Sequence, residues 1–464
     1  LCIAIMGCVI ARGATYEVGP GKPLASIGEV PWASLEPGDH VLLGWRETPY
    51  REKWVICRQG TAENPIVVRG IPNPETGALP VIDGNGATTA TGLNYWSEGR
   101  GVIKIGGANI PVDTMPRHIV LDSLEIRSGR QPFRFTDDSG VDTAYPRNAA
   151  ALFVEKGEHI TVRNCIMHDS GNGLFIASSD AAVSRNITIE ANYIHGNGNP
   201  ASAFEHNSYS AGIGVVFQFN RYGPMRAGAQ GNALKDRSAG LVVRYNWIEG
   251  GNRQLDLVDG EDAVAIRNDP AYRMTRVYGN VFIENAGDGN RQMVHYGGDS
   301  GETGSYRKGS LHFYHNTLVS LRTDRTTLFR LSTNEERADV RNNVFYASAA
   351  GNTLSLLDAS GQLELSRNWI KPEWRISFGD FEGQVIGEGA LLEGAAPGFA
   401  GEGERNFRLA SGSVCINAGA NLDPAATDGH AVRMQYVIHQ AGEDRPVDGV
   451  YDIGAYEWTP ETSP

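Results

Sequence analysis

Apolar and polar residues alternate in short runs along most of this chain, as in His159-Ile-Thr-Val-Arg, Asn186-Ile-Thr-Ile-Glu, Leu241-Val-Val-Arg-Tyr and Ser310-Leu-His-Phe-Tyr. A period of two turns one face of a strand toward a core. Long i, i+3, i+4 stripes are missing, so the chain reads as all-β. After each run comes an Asn-x-apolar triplet: Asn164-Cys-Ile, Asn192-Tyr-Ile, Asn220-Arg-Tyr, Asn246-Trp-Ile, Asn280-Val-Phe, Asn316-Thr-Leu and Asn343-Val-Phe, with an echo at Asn368-Trp-Ile. The triplets recur every 25 to 36 residues, and Ser123 stands where later units carry Asn. One such unit cannot bury its own apolar face, so units must stack. The pattern predicts a parallel β-helix solenoid with about three short strands per coil, ~4.8 Å from those of the next, and an asparagine ladder at its turns.

The 464 residues include 57 Gly and 22 Pro, which suits one long, turn-rich solenoid domain. Residues 15–116 read as an N-terminal cap and first coils, 117–372 as regular coils with inserted loops, and 373–464 as the last coils and an irregular C-terminal capping segment. Five cysteines, at 2, 8, 57, 165 and 415, show no paired spacing, which argues against a disulfide framework or a zinc site. Residues 1–14 read as the remnant of a secretory signal: Leu1 to Ala11 is an apolar run of signal length, too short to span a bilayer. The missing Met and basic n-region read as a trimmed start. Cleavage near Gly13 or Ala14 is expected, with a lipoprotein signal around Cys8 as the alternative, and the protein is expected to be secreted or periplasmic. The net charge of −13 disfavours nucleic acid as a partner. A local basic cluster can still hold an acidic polysaccharide. No membrane span and a monomeric state are expected.

Loops interrupt the rhythm at about 129–147, at 200–226 and after Tyr296, and such loops build clefts on solenoids. Between residues 205 and 262 the chain gathers groups that packing does not require. Aligning the strands that precede each Asn strand gives an outward column of Phe175, Lys235, Asp256, His295, Arg330 and Ser355. A ladder of inter-coil ion pairs would account for such a column. So would a site for β-elimination of a uronate polymer, which needs a base, a group that neutralises the carboxylate and a proton donor for the leaving oxygen. Lys235 is the candidate base, with Arg237 and Arg244 expected to lower its proton affinity by repulsion, and His206 or Tyr209 the donor. Arg221, Arg244, Arg253, His295 and Arg330 are candidate substrate-binding residues. Asp256, Asp259, Glu261 and Asp262 form a candidate calcium cluster, for which a solvated acidic turn is the plain alternative. No organic cofactor is expected.

Two stretches carry a family resemblance. Gly231-Asn-Ala-Leu-Lys235-Asp-Arg237-Ser-Ala-Gly-Leu-Val-Val-Arg244-Tyr-Asn246 resembles the catalytic-lysine stretch of the alginate and chondroitin-B lyases of polysaccharide lyase family six. The resemblance implies a right-handed parallel β-helix and the role of base for Lys235. Asp256 stands where that family has a catalytic arginine, and Gly228 and Gln230 replace its acidic calcium ligands. The acidic group at 256–262 resembles instead the calcium cluster of family-nine pectate lyases, in part. The closing phrase Asp452-Ile-Gly-Ala-Tyr-Glu457 resembles the end of many bacterial secreted β-helix proteins. The competing readings are a glycoside hydrolase with paired carboxylates, for which Asp137-Asp138 lacks the companion Gly-His-Gly, and a non-catalytic sugar-binding surface protein.

Overall fold

The computed structural model describes residues 13–446 and 449–460; the apolar run at Leu1 to Ala11, with Cys2 and Cys8, lies outside them. Three long sheets run the length of the molecule, two with 13 strands and one with 11, and within each the successive coils pair in parallel apart from one hairpin at an end. The protein is a parallel β-helix. A first sheet runs from Thr15–Val18 to Gln384–Ile386, a ladder sheet from Val81–Asp83 to Leu392–Glu393, and a site sheet contains Glu52–Ile56 through Thr353–Leu357. Rows of buried Leu, Ile, Val and Phe from all three meet in one continuous core.

The turn between the first and ladder sheets explains the triplets. The last residue before each ladder position adopts a left-handed backbone: Ala191, Phe219, Tyr245, Gly279, His315, Asn342 and Arg367 all have φ between 52° and 67°. That conformation costs a side-chain-bearing residue ~1 to 2 kcal/mol, and the asparagine that follows compensates. Asn246 Nδ2 donates to the carbonyls of Arg244 and Phe217 and, at 2.9 Å, to Asn280 Oδ1, while its backbone N–H donates to the same oxygen. The same links run from Asn192 through Asn220, Asn246, Asn280, Asn316 and Asn343 to Asn368, all fully buried. Asn164 is not a rung. It holds the left-handed position, exposed, and donates to Asp122 Oδ1 at 2.9 Å; Cys165 fills the slot and its N–H meets Asn192 Oδ1.

The loops differ in kind. Residues 129–147 contain an antiparallel hairpin, Arg134–Thr136 with Asp142–Ala144, that prolongs the site sheet at one end. Residues 200–226 contain a coil of their own, with strands at Ser208–Ser210, Val216–Gln218 and Arg221–Tyr222. The segment after Tyr296 is a loop proper and folds over the site sheet. The C-terminal segment does more than close the stack: Phe407, Leu409, Tyr436, Ile453 and Tyr456 pack on the outer side chains Trp247, Val281, Ile283, Val319 and Trp369 of the ladder sheet. Arg445 and Glu457, both buried, pair at 2.7 Å within this strap, and Gly454 N–H donates to Asn342 O.

Candidate active site

Register in the site sheet gives the outward row directly: Lys104, Phe153, Phe175, Tyr209, Lys235, Asp256, His295 and Arg330 stand side by side on successive strands. The expected column is present with Tyr209 added between Phe175 and Lys235. Ser355 is not part of it; it pairs with Thr327 and bonds that hydroxyl at 2.9 Å. Leu354, Leu356 and Leu357 are all buried, and the segment at Arg375 pairs in parallel along the edge of their strand, so alternation alone misplaced the register.

Lys235 lies buried between two carboxylates, donating to Asp256 Oδ2 at 3.2 Å and to Asp299 Oδ2. Its nearest charges are thus acidic, not guanidinium groups as expected. Asp256 also accepts from Asn232 Nδ2 at 2.8 Å and faces His295 Nδ1 at 2.7 Å and Arg253 at 3.5 Å. Burial alone would raise the Asp256 carboxyl, but the His295 hydrogen bond and the Lys235 charge outweigh it and hold the group well below the carboxylate range. His295 Nε2 reaches Ser332 Oγ at 2.9 Å.

Asp299 comes from the loop after Tyr296. Gly297 and Gly298 let that loop run close to the sheet: a Cβ on Gly298 would meet the Tyr306 ring at 2.1 Å, and one on Gly297 would meet Ser332 Oγ at 2.5 Å. Arg307, fully buried, ties the loop down by donating to the carbonyls of Val258, Ser238 and Asp236. Asp259 clips its other end, accepting from Asp299 N–H at 2.9 Å and Ser300 Oγ at 2.5 Å. Burial opposes the Asp299 charge, yet the charges of Lys235 and Arg237 keep this carboxyl below its usual range.

Arg237 is the hub of the other flank. It donates to Tyr209 Oη at 2.8 Å, to Asp259 O at 2.7 Å and to Asp299 Oδ1 at 2.9 Å, and pairs with Glu261 at 2.7 Å. Tyr209 Oη donates to Asp262 Oδ2 at 3.1 Å, and burial raises its proton affinity, so it stays a phenol. Burial also raises the Asp262 and Glu261 carboxyls despite Arg237. The Tyr209 ring stacks on Phe175 at 4.5 Å and 11°, and His206 lies beside it at 6.1 Å. His206 Nδ1 accepts from Asn232 N–H, which leaves the proton on Nε2, and burial pushes its pKa down to about 3.

The four acidic candidates do not assemble as a calcium cage. Asp256 belongs to the Lys235 and His295 side, Asp259 is a loop clip, and the Arg237 guanidinium occupies the space among Asp259, Glu261, Asp262 and Asp299. Among the described residues no three His, Cys, Asp or Glu groups are placed to hold a metal ion. Two of the arginine candidates fall elsewhere. Arg221 is on the ladder sheet over the Tyr193 ring, and Arg244 is on the first sheet with Gln218 and Tyr278. A coil has three faces, so residues dense in sequence are spread around it. Arg253, His295 and Arg330 do share the site face. Sequence reasoning missed Asp299 and Arg307; the Gly-Gly-Asp that opens the loop after Tyr296 was the available signal.

No protein-family model and no curated protein matches the chain. Among solved structures, the pectate lyase Pel9A aligns over 97% of this chain and 98% of its own at 14% identity, with a TM-score of 0.51. An alginate lyase from Paenibacillus sp. str. FPU-7 aligns over 77% of this chain and 93% of its own, at 11% identity and 0.44. The Streptococcus pneumoniae surface protein and adhesin PfbA aligns over 76% and 90%, at 10% identity and 0.40. The likeness to Pel9A is one of fold: both chains are parallel β-helices over nearly their whole lengths.

Proposed function

We propose that this protein is a secreted polysaccharide lyase that cleaves a uronate-containing acidic polysaccharide by β-elimination. The observation that supports this reading best is the row Tyr209, Lys235, Asp256, His295 and Arg330: a buried lysine beside a half-buried phenol on the outer face of a solenoid sheet, where core packing asks for neither. In this reading the Lys235 amine takes the proton from the carbon next to the sugar carboxylate, and Asp256 and Asp299 accept hydrogen bonds from the ammonium that results. Tyr209 gives its proton to the leaving glycosidic oxygen. One C–H and one C–O bond break and a C=C bond forms; the Lys235 ammonium then returns its proton to solvent and the Tyr209 oxygen regains one. Arg237 and the His206 ring position Tyr209, while Arg253 and Arg330 face the substrate carboxylates. In this reading Arg237 is the cation that neutralises the acidic group of Asp259, Glu261, Asp262 and Asp299.

One observation favours a second reading. The Asp299 carboxyl is held low while burial raises that of Asp262, and a pair of carboxyls pushed apart in this way is what acid and base of a glycoside hydrolase require. The deciding experiment is near-ultraviolet absorbance on a panel of uronate polymers, with the intact protein and Lys235→Ala. An absorbance rise lost in the variant supports elimination; new reducing ends without absorbance, lost in Asp262→Asn, would replace it with hydrolysis.

A further inference from the structure

The charges at the centre of the site are matched within the protein: Lys235, Arg237 and Arg253 each have carboxylate partners. Arg100 is different. It ends the short turn Glu98–Arg100 and lays its guanidinium over two rings of the outward row, 4.7 Å from the Phe153 centroid and 4.8 Å from that of Phe175. Its Nε and Nη2 are buried and have no hydrogen-bond partner, and among the described residues it makes no ion pair. The carboxylate with the most influence on it, Glu155, is taken by Lys104 at 2.7 Å and by the Trp96 indole. Aromatic faces fix a guanidinium in place but satisfy none of its in-plane donors. The residue as a whole is only half-buried, and filling these donors with a ligand requires the guanidinium to turn outward.

We propose that Arg100 with Phe153 and Phe175 forms an acidic-sugar subsite, two strands before Lys235, that takes the carboxylate of a uronate unit in a bidentate grip. Phe175 neighbours Tyr209 and Tyr209 neighbours Lys235, so the subsite lies ~10 Å along the helix axis from the candidate base at ~4.8 Å per strand. Arg330, which also makes no ion pair among the described residues, stands three strands beyond Lys235 on the other side. Two uncommitted guanidinium groups thus bracket a charge-matched centre, an arrangement that recognises a polyanion laid across the strands and sets which stretch of it meets Lys235. The proposal rests on the site face assigned above, though not on the reaction.

The test is binding and turnover measured separately. Titration calorimetry would use hexamers of polygalacturonate and polymannuronate, with carboxyl-reduced hexamers as the neutral control, on the intact protein, Arg100→Gln and Arg100→Lys. The expected result is at least tenfold weaker binding of one acidic hexamer in Arg100→Gln, a smaller loss in Arg100→Lys, and neutral binding unchanged, with equal melting temperatures. Equal affinity of intact protein and Arg100→Gln for both acidic hexamers, or no acidic hexamer bound at all, would overturn the subsite. Arg100-dependent binding without an absorbance rise on any polymer would leave the subsite standing and remove the lyase reading. An absorbance rise whose KM ignores Arg100 would do the reverse.

Discussion

A lysine that donates to two carboxylates is an unusual thing to bury on the outer face of a sheet, and Lys235 has a consequence at the scale of single residues. As base in elimination, it cannot be replaced by a group without a lone pair at that point, and Lys235→Ala is expected to lower kcat by ~10²- to 10⁴-fold. Tyr209→Phe removes the proton for the leaving oxygen yet keeps the stacking on Phe175, so it is expected to lower kcat with KM little changed. Single-turnover kinetics on both variants checks this; a Tyr209→Phe enzyme with normal kcat would strip the phenol of its role. The pH profile separates the two chemistries. Burial raises the Asp262 carboxyl, so a hydrolase using it as acid loses activity as pH rises through that raised value, whereas Tyr209 keeps its proton across the neutral range. Much of this site was legible in the sequence, because Lys235, Asp256, His295 and Arg330 fall at equivalent places in a period-two pattern. Asp299 was not, since a loop carries no period, and neither was Arg100, whose meaning depends on rings 53 and 75 residues away.

At the scale of the element, the asparagine ladder makes the coil turns specific. Asn280 Oδ1 accepts from both the N–H and the Nδ2 of Asn246, and its own Nδ2 donates to the carbonyls of Val243 and Tyr278 and to Asn316 Oδ1. Asn280→Ala strands these groups away from water and is expected to cost roughly 2 to 4 kcal/mol. Asn164→Gly, at the exposed left-handed position one residue ahead of the ladder, is expected to stay within ~1 kcal/mol of the parent. Thermal unfolding of the two variants side by side measures the difference, and equal melting points would show that the ladder is decorative. The sequence displays both residues as the same Asn-x-apolar triplet. What separates them is a one-residue offset between turn and strand, which the pattern of apolar residues does not encode because Cys165 fills the rung as an apolar residue would. The slip at Ser355 has a related origin: three leucines in four positions satisfy either register, and only the pairing with Thr327 on the strand before decides.

At the scale of the molecule, the C-terminal strap is where acid should act first. Three histidines lie where it meets the coils: His315 of the first-sheet turn bonds Asp452 O and contacts Arg445, His430 of the strap meets Tyr278, and His439 meets Trp247. Burial depresses all three, His315 well below the histidine range and His430 and His439 to about 4, with Arg445 beside the first, Arg276 and Arg244 beside the second and Arg221 beside the third. Asp428 and Glu249 only partly offset these charges. A histidine in the unfolded chain takes a proton near pH ~6.5, whereas the docked strap keeps these neutral to far lower pH. The released state therefore binds more protons throughout that window, so docking is fully supported above pH ~6.5 and weakens as pH falls toward about 4. The coils hold depressed histidines too, His195 at about 4, His206 at about 3 and His295 beside Asp256, but there the asparagine ladder and the continuous apolar core keep the backbone in place. Limited proteolysis across pH 7 to 4.5 should accordingly cleave the chain between residues 394 and 446 at acid pH while the coils stay intact, and His430→Gln with His439→Gln should shift that onset to lower pH. Cleavage that begins in the coils, or an onset unmoved by the double variant, would place the weak point elsewhere.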